Sequence, residues 1–245
     1  RLDGPFFAAS LGNSSTIALR NRQKLSSPSR IFASILQVRQ APRLRRGLWS
    51  LPLLLSACVS APSIPETTWH RLPAAADVAP ISHPSAVPVA VHRFEADGLY
   101  ADQALLYALD AKAQQLRAYH YHQWIDPPGT LLQRRWIGVL QQAQAASQIV
   151  ERSQAGSEAW QLRGRIERWE RAPTAAGDWQ VQVALELRLQ RGRDKPLLRK
   201  HYSEVQTAND ASLEASVQAM GEALDRIQAA FLADLTPLLA TESQQ

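Results

Sequence analysis

Trp179 to Gln190 reads WQVQVALELRLQ, and apolar and polar side chains alternate along its whole length. Trp179, Val181, Val183, Leu185, Leu187 and Leu189 fall on one side of an extended chain, and Gln180, Gln182, Ala184, Glu186, Arg188 and Gln190 on the other. A period of two marks a strand in a sheet with one buried face and one wet face. Such a strand needs neighbours, and the flanking sequence supplies them. Upstream, Trp160, Leu162 and Ile166 alternate against Arg163, Arg165 and Glu167, with Gly164 on the inner side. Trp169 is out of phase with that set, which predicts a bulge or a strand end near Arg168. Downstream, Gly192 to Pro196 (GRDKP) has turn composition and leads into a strand over Leu197 to Val205.

Working outward, four more strands and two helices follow. Val89 to Phe94, Gln103 to Leu109 and Leu116 to Trp124 read as strands, the last rich in aromatics. Asp126-Pro127-Pro128 is a helix start, since proline suits a first turn that has no amide partner and aspartate suits its positive end. That helix is expected to reach about Ala146, with Leu132, Trp136, Val139 and Ala143 on one apolar face. Ser147 to Arg152 is a short strand. Asn209-Asp210 opens a last helix whose Leu213, Val217, Met220, Leu224, Ile227, Phe231 and Leu235 recur at fours and threes until Pro237 ends it. The order β-β-β-α-β-β-β-β-α predicts an α+β two-layer domain, a mostly antiparallel sheet covered by two helices.

Charge is unevenly spread. Nine of the 27 Lys and Arg and one of the 22 acidic residues precede Cys58, which leaves 18 basic against 21 acidic side chains from there on, a net of −3. The basicity behind the overall +5 therefore sits in the leader, and a nucleic-acid role for the rest loses its basis. Arg39, Arg43, Arg45 and Arg46, the apolar run Leu48 to Leu55 and Ser56-Ala57-Cys58 stand in the order n-region, h-region, cleavage site. The run is far short of the ~20 residues of a spanning helix. Leu55-Ser56-Ala57-Cys58 resembles the bacterial lipobox, which implies a thioether-linked lipid, with palmitate among its acyl chains, on the single cysteine of the chain. On this reading residues 1–37 lie upstream of an alternative start at Val38, 38–57 are a signal peptide, and 58–87, rich in Pro and Ala, are a mobile tether. Residues 88–240 are then a periplasmic domain. Val59 is not the aspartate that retains enteric lipoproteins at the inner membrane, so the resemblance implies the outer membrane.

Ala96 to Trp124 (ADGLYADQALLYALDAKAQQLRAYHYHQW), followed by Asp126-Pro127-Pro128 and a helix, resembles the ABC-type transport auxiliary lipoproteins, the group that includes paraquat-inducible protein C. Tyr107-Ala108 and the His122-Gln123-Trp124 corner leading through Pro127 to Pro128 occupy the places of the family motif, which is structural in character. The resemblance implies an outer-membrane-anchored accessory subunit that associates with MCE-type tunnel proteins of lipid transporters. It supplies no catalytic residue. No cofactor is expected beyond the covalent lipid on Cys58, and association between copies of the chain is a further expectation. A tethered factor for outer-membrane assembly, a plug or chaperone of a β-barrel protein, is the alternative.

The chemistry-bearing residues are few. The chain has no G-x-S-x-G, H-E-x-x-H or phosphate-cradling glycine loop. His120 and His122 stand two apart and would share a strand face, which suits either a metal or a polar corner beside Trp124; no metal is expected. Arg188, Arg191, Arg193, Lys195, Arg199 and Lys200 gather at one hairpin, as a contact for acidic lipid headgroups or an acidic partner, or as a charged edge that resists strand pairing.

Overall fold

The computed structural model of the protein describes residues 63–192 and 196–242. In chain order they form strands β1 (Thr68–His70), β2 (Val89–Val91), β3 (Glu95–Ala96), β4 (Ala104–Ala108) and β5 (Leu116–Trp124), helix α1 (Pro128–Gln142), strands β6 (Ile149–Glu151), β7 (Trp160–Pro173), β8 (Trp179–Arg191) and β9 (Leu198–Thr207), and helix α2 (Leu213–Glu242). With β1 and β3 set aside, this is the order expected from the periodicities, and the class is α+β.

The axis of the sheet is β7. On one flank β8 runs antiparallel to it from Trp160↔Arg191 to Pro173↔Trp179, and β9 adds a second antiparallel ladder from Gln180↔Thr207 to Leu189↔Leu198. On the other flank the short strands β2, β3 and β4 lie parallel to β7 one after another; β6 extends the sheet from β2, and β5 and then β1 extend it from β4. The long ladders are antiparallel, and the parallel pairings fall where short strands are laid against β7. The register slips between Ile166 and Arg168, so Glu167 is the extra residue of the bulge that Trp169's phase predicts.

Both helices pack on the same face of this sheet. Gly164 and Leu187 are cross-strand partners on the inner side of β7 and β8. Phe94 sits over Gly164, and its ring lies 5.1 Å from that of Trp136 in α1. Tyr202 of β9, opposite Leu185, meets Phe231 of α2 edge-on at 6.2 Å. Leu162, Leu185 and Leu187, like Leu132 and Leu224 from the two helices, are fully shut off from solvent. The outer side of the same strands carries Arg163, Arg165, Glu186, Arg188, Arg199 and His201, and no helix covers it. The alternation of β8 lapses at one end only: Gln182 and Ala184 are buried too, because Glu170 and Arg168 oppose them and Tyr100 reaches over Glu170.

Three expectations are corrected. From Thr68 on, the stretch read as mobile tether is fixed to the domain: β1 pairs in parallel with β5, and Leu72, Ala75, Val78 and Ile81 pack on the core. Its proline content bars long ladders but not an extended strap whose apolar residues find the core. Helix α1 stops at Gln142, short of Ala146. Gln144 takes a left-handed φ of 48°, and the amides of Gln144 and Ala145 return to the carbonyls of Gln141 and Leu140, a Schellman closure made without the usual glycine. Pro237 does not end α2. The helix runs on past it, and Leu235 and Leu239 on either side are both buried in the core.

A Cβ on Gly164 would lie 2.2–2.7 Å from the ring of Phe94, which Trp136 prevents from retreating. Gly164→Ala is therefore expected to lower the unfolding free energy by ~1–3 kcal/mol in urea titrations, with part of the loss recovered by Phe94→Leu in the same chain.

Candidate functional site

The corner that carries the family motif is built for architecture. Trp124 is 2% exposed and packs on Trp169 with ring centroids 5.6 Å apart. Its amide donates to the Gln103 carbonyl at 2.6 Å, and the Gln103 side chain donates back to the carbonyls of Trp124 and Ile125. The Pro127 carbonyl accepts from the amides of Thr130 and Leu131, and Pro128 opens α1. Tyr107 stacks on Tyr119 at 4.5 Å.

Two surfaces remain. The first is a groove of about 410 Å³ between the strap at Arg71 to Ala75 and helix α1, with Leu72, Leu131, Val139 and Ile125 as apolar wall and Arg71, Arg134 and Asp126 at its rim. Arg135 closes its base. That guanidinium is buried and donates to the carbonyls of Pro73 and Gly221, to the Gln228 side chain and to Asp225, so one side chain joins the strap, α1 and α2. Desolvation holds its pKa below the ordinary arginine value while Asp225 works in the other direction. Trp136, 1% exposed, belongs to the core.

The second is the open face of β7, β8 and β9. Of the expected basic cluster, Arg193 and Lys195 lie outside the described residues. On this face Arg199 pairs with Glu186, whereas Arg191 and Lys200, in phase with Leu189 and Leu187 on the helix-covered side, pair with Glu158 at 3.3 Å and Asp234 at 2.7 Å. The Arg199 guanidinium holds the Glu186 carboxyl below its ordinary range, and Lys200 and the Tyr202 hydroxyl do the same for Asp234. Arg188 behaves differently: its cross-strand neighbours are Arg163 on one side and Arg199 on the other. Next to this row Glu167, Glu186 and His201 bring their ligand atoms within 4.8 Å of one another. His201 Nδ1 already lies 3.0 Å from Glu167, and Glu186 is held by Arg199. Arg163 and this trio are not legible along the chain, because only the strand register brings such distant residues side by side.

The two histidines lie two apart on β5, as expected. His120 is exposed, while His122 Nδ1 lies 3.1 Å from Nε2 of His70 in the neighbouring strand β1. The pair is a polar clasp at the sheet edge. The lipidation residue Cys58 and its preceding Leu55, Ser56 and Ala57 lie outside the described residues.

A one-sided, helix-backed sheet with an apolar groove at one end and a cationic open face defines a small α+β module. The chain matches the family described as the ABC-type transport auxiliary lipoprotein component over residues 71–231, more than half its length, and it belongs to that family. Among solved structures it is similar to protein XCC0632 from Xanthomonas campestris, of family DUF330, at 14% identity and a TM-score of 0.62, over 73% of this chain and 100% of that one. An uncharacterized protein aligns at 11% identity and a TM-score of 0.53, over 70% and 99%. No curated protein matches the chain. At such identities the structures establish the shared fold. Among the described residues no helix is long and apolar enough to cross a membrane.

Burial, then the nearby His122, lower the His70 pKa below the ordinary 6.5. A base whose folded pKa is depressed adds stability above its unfolded pKa and loses it as pH falls through the folded one. The unfolding midpoint in urea should therefore drop as the pH falls below the ordinary histidine value of 6.5, and His122→Gln should make that decline shallower.

Proposed function

We propose that this protein is an outer-membrane-anchored periplasmic lipoprotein that serves as the accessory subunit, neither ATPase nor permease, of an ABC-type system moving lipid between the two membranes through an MCE-type tunnel protein. One observation carries the reading: a transport-auxiliary domain over residues 71–231 follows, within thirteen residues, a cysteine set in Leu-Ser-Ala-Cys behind a basic and apolar leader. Acylation at Cys58 supplies the membrane, and the domain supplies the partner contact. Several acyl chains on one cysteine, at ~0.8 kcal/mol per buried methylene, hold a water-soluble body on a bilayer. Nine residues lie between Cys58 and Thr68, and the ten steps from one to the other, fully extended, reach at most about 35 Å. The folded body therefore works close to the membrane surface, where a tunnel protein spanning the periplasm must end.

Fractionated envelopes test the anchor. The chain should sediment with the outer membrane, and Cys58→Ser should release it to the soluble periplasm; a Cys58→Ser protein still bound after washing contradicts the anchor. Detergent-solubilised envelopes test the partner. The tagged full chain should capture the tunnel subunit at micromolar concentration, and capture of a β-barrel protein in its place would favour a role in outer-membrane assembly and overturn this one.

A further inference from the structure

The open face of the sheet contains an arrangement that folding alone disfavours. Arg163, Arg188 and Arg199 stand directly opposite one another on β7, β8 and β9. Adjacent strands are ~4.8 Å apart, so three guanidinium groups start from positions spread over only ~10 Å. Like charges placed directly across a ladder destabilise it. Arg199 is offset by Glu186, but Arg163 and Arg188 make no ion pair among the described residues. The Nε of Arg188 is also shut off from solvent without an acceptor, although buried donors of this kind nearly always have one. A cavity of about 300 Å³ opens over the row, and Arg165, Glu95 and Glu186 complete its charged lining. Arg165 is turned to Asp97 at 2.9 Å and to Glu95 at 3.7 Å, so its charge is spoken for at the far wall.

The geometry points to a phosphate-binding site on this open face, in which Arg163 and Arg188 supply the free guanidinium forks and Arg199, held by Glu186, supplies the third. Four arginines against two glutamates leave the cavity with two uncompensated positive charges, matched to one phosphate group. Guanidinium forks bind phosphate through paired, charge-assisted hydrogen bonds, and a tetrahedral group with several oxygens can be shared by donors from adjacent strands where a planar carboxylate cannot. The phosphate comes either from a lipid headgroup or from a free phosphate anion. The lipid source rests on the transport reading above; the site itself does not.

The purified full chain tests both. Its thermal midpoint should rise by about 3 °C in saturating phosphate relative to chloride at matched ionic strength. Arg163→Gln with Arg188→Gln should abolish that rise, while the midpoint of the variant in chloride stays equal to or above that of the parent because the facing charges are gone. Arg163→Gln alone, at an exposed position, should reduce the rise in part. Sedimentation with phosphatidylcholine vesicles containing phosphatidylglycerol, measured on the full chain carrying Cys58→Ser so that no acyl anchor contributes, and lost when Arg163→Gln and Arg188→Gln are added, assigns the phosphate to a lipid headgroup. A phosphate-dependent rise without vesicle binding assigns it to the free anion, and the transport reading then stands or falls on its own experiments. No response to phosphate or to vesicles, or a rise kept in full by the double variant, overturns the site.

Discussion

Both helices of this protein lie against one face of the β7 and β8 ladder, and most of the remaining structure follows from that asymmetry. A long, twisted sheet has two faces to satisfy, and here the apolar side chains of the alternation all point one way, toward Phe94, Trp136 and Phe231. The other face must then be acceptable to water, which it is, at the cost of setting arginines beside arginines. The contact between Phe94 and Gly164 fixes how near α1 comes to the sheet, since any side chain at that position would occupy the space of the ring. The bulge at Glu167 then turns the phase of β7, so that Trp169 is inside with Trp124 and the motif corner joins the same core.

A second constraint ties the periphery to this core. Arg135, on α1, is charged, buried and surrounded by carbonyls and one carboxylate from two other segments, the strap and α2. A buried charge is costly unless every donor finds a partner, and this one finds them only when the strap, α1 and α2 are all in place. The strap is thus part of the folded body.

Much of this was legible in the sequence. The alternation of Trp179 to Leu189, the phase break at Trp169 and the prolines at 127 and 128 each encode a local choice, and local choices survive into the fold. The misses have a common cause. Gln144 in a left-handed turn, Pro237 inside a helix and the strap from Thr68 onward are conformations the local sequence disfavours and tertiary burial overrides. Arg135 lies beside the apolar stripe of α1 and carries no mark that its charge will be enclosed. Likewise the row of Arg163, Arg188 and Arg199 is invisible along the chain, because a one-residue change of register would separate it. The hairpin arginines were noticed as a cluster, yet it is the cross-strand partner, not the sequence neighbour, that decides which of them is free.

Function on this account belongs to the surface that the helices leave open and to the membrane held near it. That claim is tested most directly by single thiols placed on neighbouring residues of β7, in a full chain carrying Cys58→Ser so that no other thiol is present. Arg163→Cys should react with a maleimide in the native state at the rate of a free thiol, and Leu162→Cys, on the helix-covered side, only as the protein opens. Equal reactivity at the two positions, or the reverse order, would mean that the sheet does not present this face to its surroundings.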